Sequence, residues 1–82
     1  MIKKGVRKNI VGRRIAEARR TCEPMLTQDA LSGKLARCGI QIDRAAIAKI
    51  ETSRRYVLDY ELKALAEALG VDVSWLLGDE KV

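Results

Sequence analysis

The sequence predicts an all-α fold, one domain of five helices, and three observations predict it. Apolar residues recur at intervals of three and four through most of the chain. The stretches so defined are bounded by capping residues or by Gly and Pro, and no segment alternates apolar and polar as a half-buried strand would. Eighty-two residues, 48% of them hydrophobic, suffice for one small core. One Trp, two Tyr and no Phe make that core aliphatic.

Residues 1–8 read as a flexible basic tail, with Lys3, Lys4, Arg7 and Lys8 and no apolar period. Asn9 caps the first helix, which turns Val11, Ile15, Ala18 and Cys22 inward. Pro24 ends it, because the residue before a proline is driven away from helical angles. Thr27 caps the second helix, whose buried stripe is Leu31, Leu35 and Cys38, with Met25 or Leu26 stapling against Leu31. Gly39 is its left-handed stop, and Ile40 to Ile42 form an apolar connection.

Asp43 caps a third helix running from Arg44 to Glu51 or Thr52. Its inward residues are Ala46, Ile47 and Ile50; Arg44, Ala45 and Lys49 fall on the opposite face. A basic loop, Ser53 to Arg55, follows. Asp59 caps a fourth helix with Leu62, Leu65, Ala66 and Leu69 inward, and Gly70 with Val71 reads as a Schellman-type stop. Asp72 opens a short fifth helix, Val73 to Leu77, closed by Gly78. The domain is thus 9–78, and residues 79–82 form a C-terminal tail.

The net charge of +5 is unevenly distributed. Residues 1–55 hold 14 Lys/Arg against 5 Asp/Glu, net +9, whereas residues 56–82 hold 2 against 6, net −4. A basic first part and an acidic end fit a polyanion on one face and something else on the other. Cys22 and Cys38 form no CxxC pair and the chain has no His, so they read as free thiols in a reducing compartment. No apolar segment fits a signal peptide or a membrane span, which predicts a soluble, cytoplasmic protein without membrane contact. Nucleotide-binding glycine loops, a GxSxG elbow and metal-ligand clusters are absent from the sequence. The expectation is a non-enzyme that takes no cofactor, metal or small-molecule ligand.

A helix, a turn and a second capped helix with polar residues outward is the unit that places its second helix in the major groove of DNA. That pattern alone fits many small helical bundles. The ordered pieces IVGRRIAEARR, LTQDALSGKL, AAIAKIETSRR and LKALAEALGVDVSWLLG are more specific. Over about residues 10–78 the chain resembles the Cro and phage-repressor (Xre-like) helix-turn-helix family, in a subgroup whose helix-turn-helix is lengthened. From Gln28 to Gly39 is eleven residues, roughly one helical turn longer than the family interval.

The resemblance implies a compact, lambda-repressor-like five-helix domain with helices two and three as the helix-turn-helix. It implies that Arg44, Ala45 and Lys49 read bases: paired hydrogen bonds from Arg44 to guanine, a methyl contact from Ala45, a guanine or phosphate for Lys49. Thr27 and Gln28, at the start of helix two, and Arg54, Arg55 and Tyr56, in the loop after helix three, match phosphate-binding positions. Arg19 and Glu51 match a family ion pair that ties helix one to helix three. Trp75, Leu76 and Leu77 lie where small members form a two-fold interface, with Trp75 assigned to the core first and Leu76 and Leu77 to the dimer surface.

The basic tail is open to two readings, an arm on the duplex or a solubilising start. The expected function is a sequence-specific, repressor-like transcriptional regulator that binds double-stranded DNA as a homodimer. Its rival is a protein-interaction module of the same fold, antitoxin-like or regulator-binding, without an operator of its own.

Overall fold

The structure, a computed structural model, describes residues 7–78. Among the described residues there are five helices and no strand: α1 (Gly12–Thr21), α2 (Gln28–Arg37), α3 (Arg44–Glu51), α4 (Asp59–Leu69) and α5 (Val73–Leu76). The readings made for the first six residues and for 79–82 lie outside this range.

Local chemistry sets most boundaries. Thr27 Oγ1 accepts the Ala30 N–H at 3.0 Å and Asp43 Oδ1 accepts the Ala46 N–H at 2.8 Å, so both helices of the central pair start on a side-chain cap. Gly39 and Gly70 adopt φ of 83° and 70°, the left-handed conformation that a terminating glycine provides. The Ile40 N–H then reaches Leu35 O and the Val71 N–H reaches Ala66 O. At α4 the expected cap is corrected. Leu58 occupies the N-cap position, and Asp59 is the first helical residue, where its charge complements the helix dipole. A leucine offers no side-chain acceptor; instead Glu61 reaches back to accept the Leu58 N–H at 3.0 Å, half of a capping box.

Ile15, Leu31, Leu35, Ile47, Ile50, Leu65 and Leu76 are fully buried and come from all five helices. Each such side chain stabilises the fold by roughly 1.5–3 kcal/mol. Helix α3 packs on α1 and α2, α4 closes against α1 and α2 as well, and α5 seats on α1 and α4. Ile42 joins this core and Ile40 packs at its edge, as expected of the connection.

One member of the predicted stripes lies elsewhere, and of the two staple candidates Leu26 is the one that packs inward. Cys38 is exposed, because it is the C-cap of α2 and the chain turns away there. Met25 is exposed.

Candidate nucleic-acid interface

The inner face of α3 is fixed by three contacts. Arg19, on α1, donates from Nε to Glu51 Oε2 at 2.7 Å and from Nη2 to Oε1 at 3.1 Å, and its Nη1 donates to the Leu26 carbonyl at 2.9 Å. Gln28 Nε2, at the start of α2, donates to the same Glu51 Oε1 at 3.0 Å. The Arg19 and Glu51 side chains are only 9% and 7% exposed, so both charges are compensated out of bulk water. One carboxylate therefore orients α1, α2 and α3 together.

The second contact is a close crossing. A Cβ at position 12 would overlap Ile50 O and crowd the Glu51 carbonyl, so only glycine lets α1 approach the C-terminal turn of α3 this closely. The third is Asn9. Its Oδ1 accepts the N–H groups of Val11 and Gly12, at 3.0 and 2.8 Å; the expected cap is corrected, since Val11 holds the N-cap position and Asn9 satisfies these amides from two residues upstream. Its Nδ2 donates to Ile50 O at 3.1 Å and Arg55 O at 2.8 Å, a bridge that the sequence did not reveal.

With the inner face held, Arg44, Ala45 and Lys49 are all exposed on the other side of α3. Arg44 Nη1 lies 3.8 Å from Asp29 Oδ2 across the α2–α3 junction, and both side chains are largely solvated. A shallow depression lined by Thr27, Gln28, Asp29 and Arg44 runs along this junction. It brings the first turn of α2 beside the start of α3. First-turn amides have no helical acceptor and favour an anion.

The loop after α3 departs from the expectation at one residue. Arg55 directs Nη1 and Nη2 to the two oxygens of Glu61, at 3.1 and 3.2 Å, and Nη1 also to Tyr56 O at 2.9 Å. Its guanidinium is committed to a structural pair and does not stand free as a phosphate clamp. Hydrogen bonding from Arg55 holds the Glu61 carboxyl below its ordinary range; burial opposes this, and the Leu58 N–H and the Arg55 charge reinforce it.

Arg54 is exposed, with Nε on Thr52 Oγ1 at 2.9 Å, and Tyr56 is 66% exposed. Ser53 sits at φ 63°, a left-handed position uncommon for a side-chain-bearing residue. There the Ser53 N–H returns to Ile50 O and the Arg54 N–H to Lys49 O, closing α3 as a Schellman turn without a glycine.

At the C-terminal end Trp75 packs against the core as expected, and the assignment of Leu76 to the dimer surface is corrected. Leu76 is 0% exposed and belongs to the core, so it has no surface to give a second protomer. The reason is register: α5 packs on α1 and α4, and Leu76 is its residue that joins the buried core. Trp75 is half-buried, with the Arg14 guanidinium 4.8 Å above its ring and Arg14 Nη1 donating to Trp75 O at 3.1 Å. Leu77 is 44% exposed.

A helix-turn-helix family model of the Cro and phage-repressor, Xre-like, type matches residues 15–76, which takes in nearly all of this assembly. The chain belongs to that family. No match was found among curated proteins or solved structures. As a member of the Xre-like family the protein is a DNA-binding helix-turn-helix regulator with a lambda-repressor-like fold, and α2 with α3 is its helix-turn-helix. No helix of the described residues is long and apolar enough to cross a membrane.

Proposed function

We propose that the protein is a sequence-specific, repressor-type regulator that binds double-stranded DNA as a homodimer and reads the major groove with α3. The observation that carries this reading is the two-sidedness of α3. Its inner face is braced by Arg19, Glu51, Gln28 and the Gly12 crossing, while Arg44, Ala45 and Lys49 stand outward beside the α2 N-terminus. Arg44 and Lys49 read base edges, Ala45 contacts a thymine methyl, and the first turn of α2 at Thr27 and Gln28 takes a phosphate together with Arg54 and Tyr56. Dimerisation supplies a second half-site, using Leu77 and the outer edge of Trp75. Occupying a promoter requires no catalytic group or cofactor, and we assign neither.

The rival is an interaction module without its own operator, favoured by the exposed acidic residues Asp59, Glu67 and Asp72 with Tyr60 and Leu77 on α4 and α5. Binding-site selection from a random duplex library, followed by titration of the selected site across a salt series, tests the choice. The DNA reader enriches one palindromic site and loses affinity steeply with salt. Enrichment of no site would remove the reading.

A further inference from the structure

We propose that Lys8 is a phosphate contact of the DNA interface and that Asn9 is the positioning residue that holds the loop after α3 in register with it. This rests on the reading that the loop after α3 faces the DNA backbone. Lys8 and Asn9 form a two-residue strap across that loop. The Lys8 N–H donates to Ser53 O at 2.9 Å, the Lys8 ammonium lies 5.4 Å from the centre of the Tyr56 ring, and Asn9 Nδ2 donates to Ile50 O and Arg55 O. Four contacts from two consecutive residues thus span the segment from the last turn of α3 to Tyr56. Lys8 is accordingly not part of a free tail.

The charge arrangement of the loop gives the strap its function. Two arginines follow one another here, and Arg55 is spent on Glu61. Arg54 and Lys8 are then the exposed cations flanking Ser53 and Tyr56. A cation on the face of an aromatic ring keeps protons directed away from the ring for an anion. Fixing the Lys8 backbone on Ser53 removes freedom that a phosphate contact would otherwise have to restrict on binding. Ser53, in its uncommon left-handed conformation, is the residue most in need of such support: it keeps that geometry because its carbonyl is held by Lys8 and its N–H by Ile50.

The test titrates the full chain against two duplexes, the site recovered by selection and a scrambled version of it, at several salt concentrations. Lys8→Ala should weaken both duplexes by the same several-fold factor and leave their ratio unchanged. It should also lower the slope of log affinity against log salt by about 0.9, the signature of one lost phosphate contact.

Asn9→Ser keeps a short cap for α1 but cannot reach the two carbonyls, so it should weaken both duplexes alike. Combined with Lys8→Ala it should cost less than the product of the two single effects. Where Asn9→Ser lowers the melting temperature, binding is measured well below the transition, and Lys8→Ala supplies the salt slope independently. An unchanged slope in Lys8→Ala, or a changed preference between the duplexes, overturns the proposal. Arg44→Ala and Arg54→Ala in the same series separate the failures: if they act as expected and Lys8→Ala does not, only the strap is wrong; if all three are silent, the DNA reading itself fails.

Discussion

Gly12 of α1 lies directly against the Ile50 carbonyl of α3, with no room for a methyl group between them. Because the obstructing atoms are backbone, they cannot swing aside as a flexible side chain would. Gly12→Ala should therefore destabilise the domain by about 1–3 kcal/mol, the cost of overpacking, although alanine is the better helix former. Chemical denaturation should show a lower midpoint; an unchanged or higher midpoint would contradict the close crossing.

Glu51 joins three helices through Arg19 and Gln28. Glu51→Ala leaves the Arg19 guanidinium buried without its counter-charge and should cost roughly 3–5 kcal/mol, with DNA affinity lost as well. Replacing both partners, Arg19→Met with Glu51→Leu, should recover much of the stability without restoring affinity, because the orientation of α3 is what the pair supplies. Equal melting temperatures for wild type and Glu51→Ala would refute the brace.

Glu61 gives the fold a sensitivity to acid. Its carboxyl titrates in the folded state below its ordinary value of 4.5, chiefly through the Arg55 hydrogen bonds. A depressed carboxylate contributes stability that is complete above about pH 4.5 and is lost as pH falls through the folded value. Glu61→Gln should be less stable than wild type near neutrality, and the gap should narrow below pH 4.5. Denaturant midpoints measured from pH 7 to pH 3 for the two proteins test this; a constant gap excludes it.

In the proposed function the outward residues of α3 and the loop divide into two roles that differ in their dependence on sequence. Arg44→Ala should relax the preference for one base pair by about 1–3 kcal/mol, whereas Arg54→Ala should weaken every duplex alike. Competition assays with single base-pair variants of the selected site distinguish them. A uniform effect from Arg44→Ala would place that residue on the backbone.

Leu76 and its neighbour separate folding from association. Leu76→Ala should cost about 2–5 kcal/mol as a core truncation. Leu77→Asp should leave the melting of the protomer nearly unchanged and weaken the proposed dimer, as read by sedimentation at several concentrations. If Leu77→Asp leaves association intact, the two-fold contact lies elsewhere.

The helices were legible in the sequence because each carries its own local signals: Thr27 and Asp43 as caps, Gly39 and Gly70 as stops, Ile47 and Ile50 at helical spacing. What stayed hidden depends on residues distant in the chain. Asn9 reads as a cap, and nothing near it announces two carbonyls more than forty residues away. Arg55 looks like one more basic loop residue until the fold brings Glu61 beside it. Leu76 and Leu77 are adjacent and chemically identical, so only the docking of α5 decides which is buried. The Arg19–Glu51 pair was legible from the family pattern, not from spacing, since the two lie on separate helices.

The eight residues of α3 also limit how much sequence one protomer can inspect. At 1.5 Å per residue the helix is about 12 Å long, which covers roughly three to four base pairs of duplex. A word of that length recurs by chance about once per hundred base pairs, against the vast number of competing sites in a genome. For the proposed dimer the genomic address therefore resides in the distance between two short words more than in either word, and insertion of a few base pairs between them should erase it.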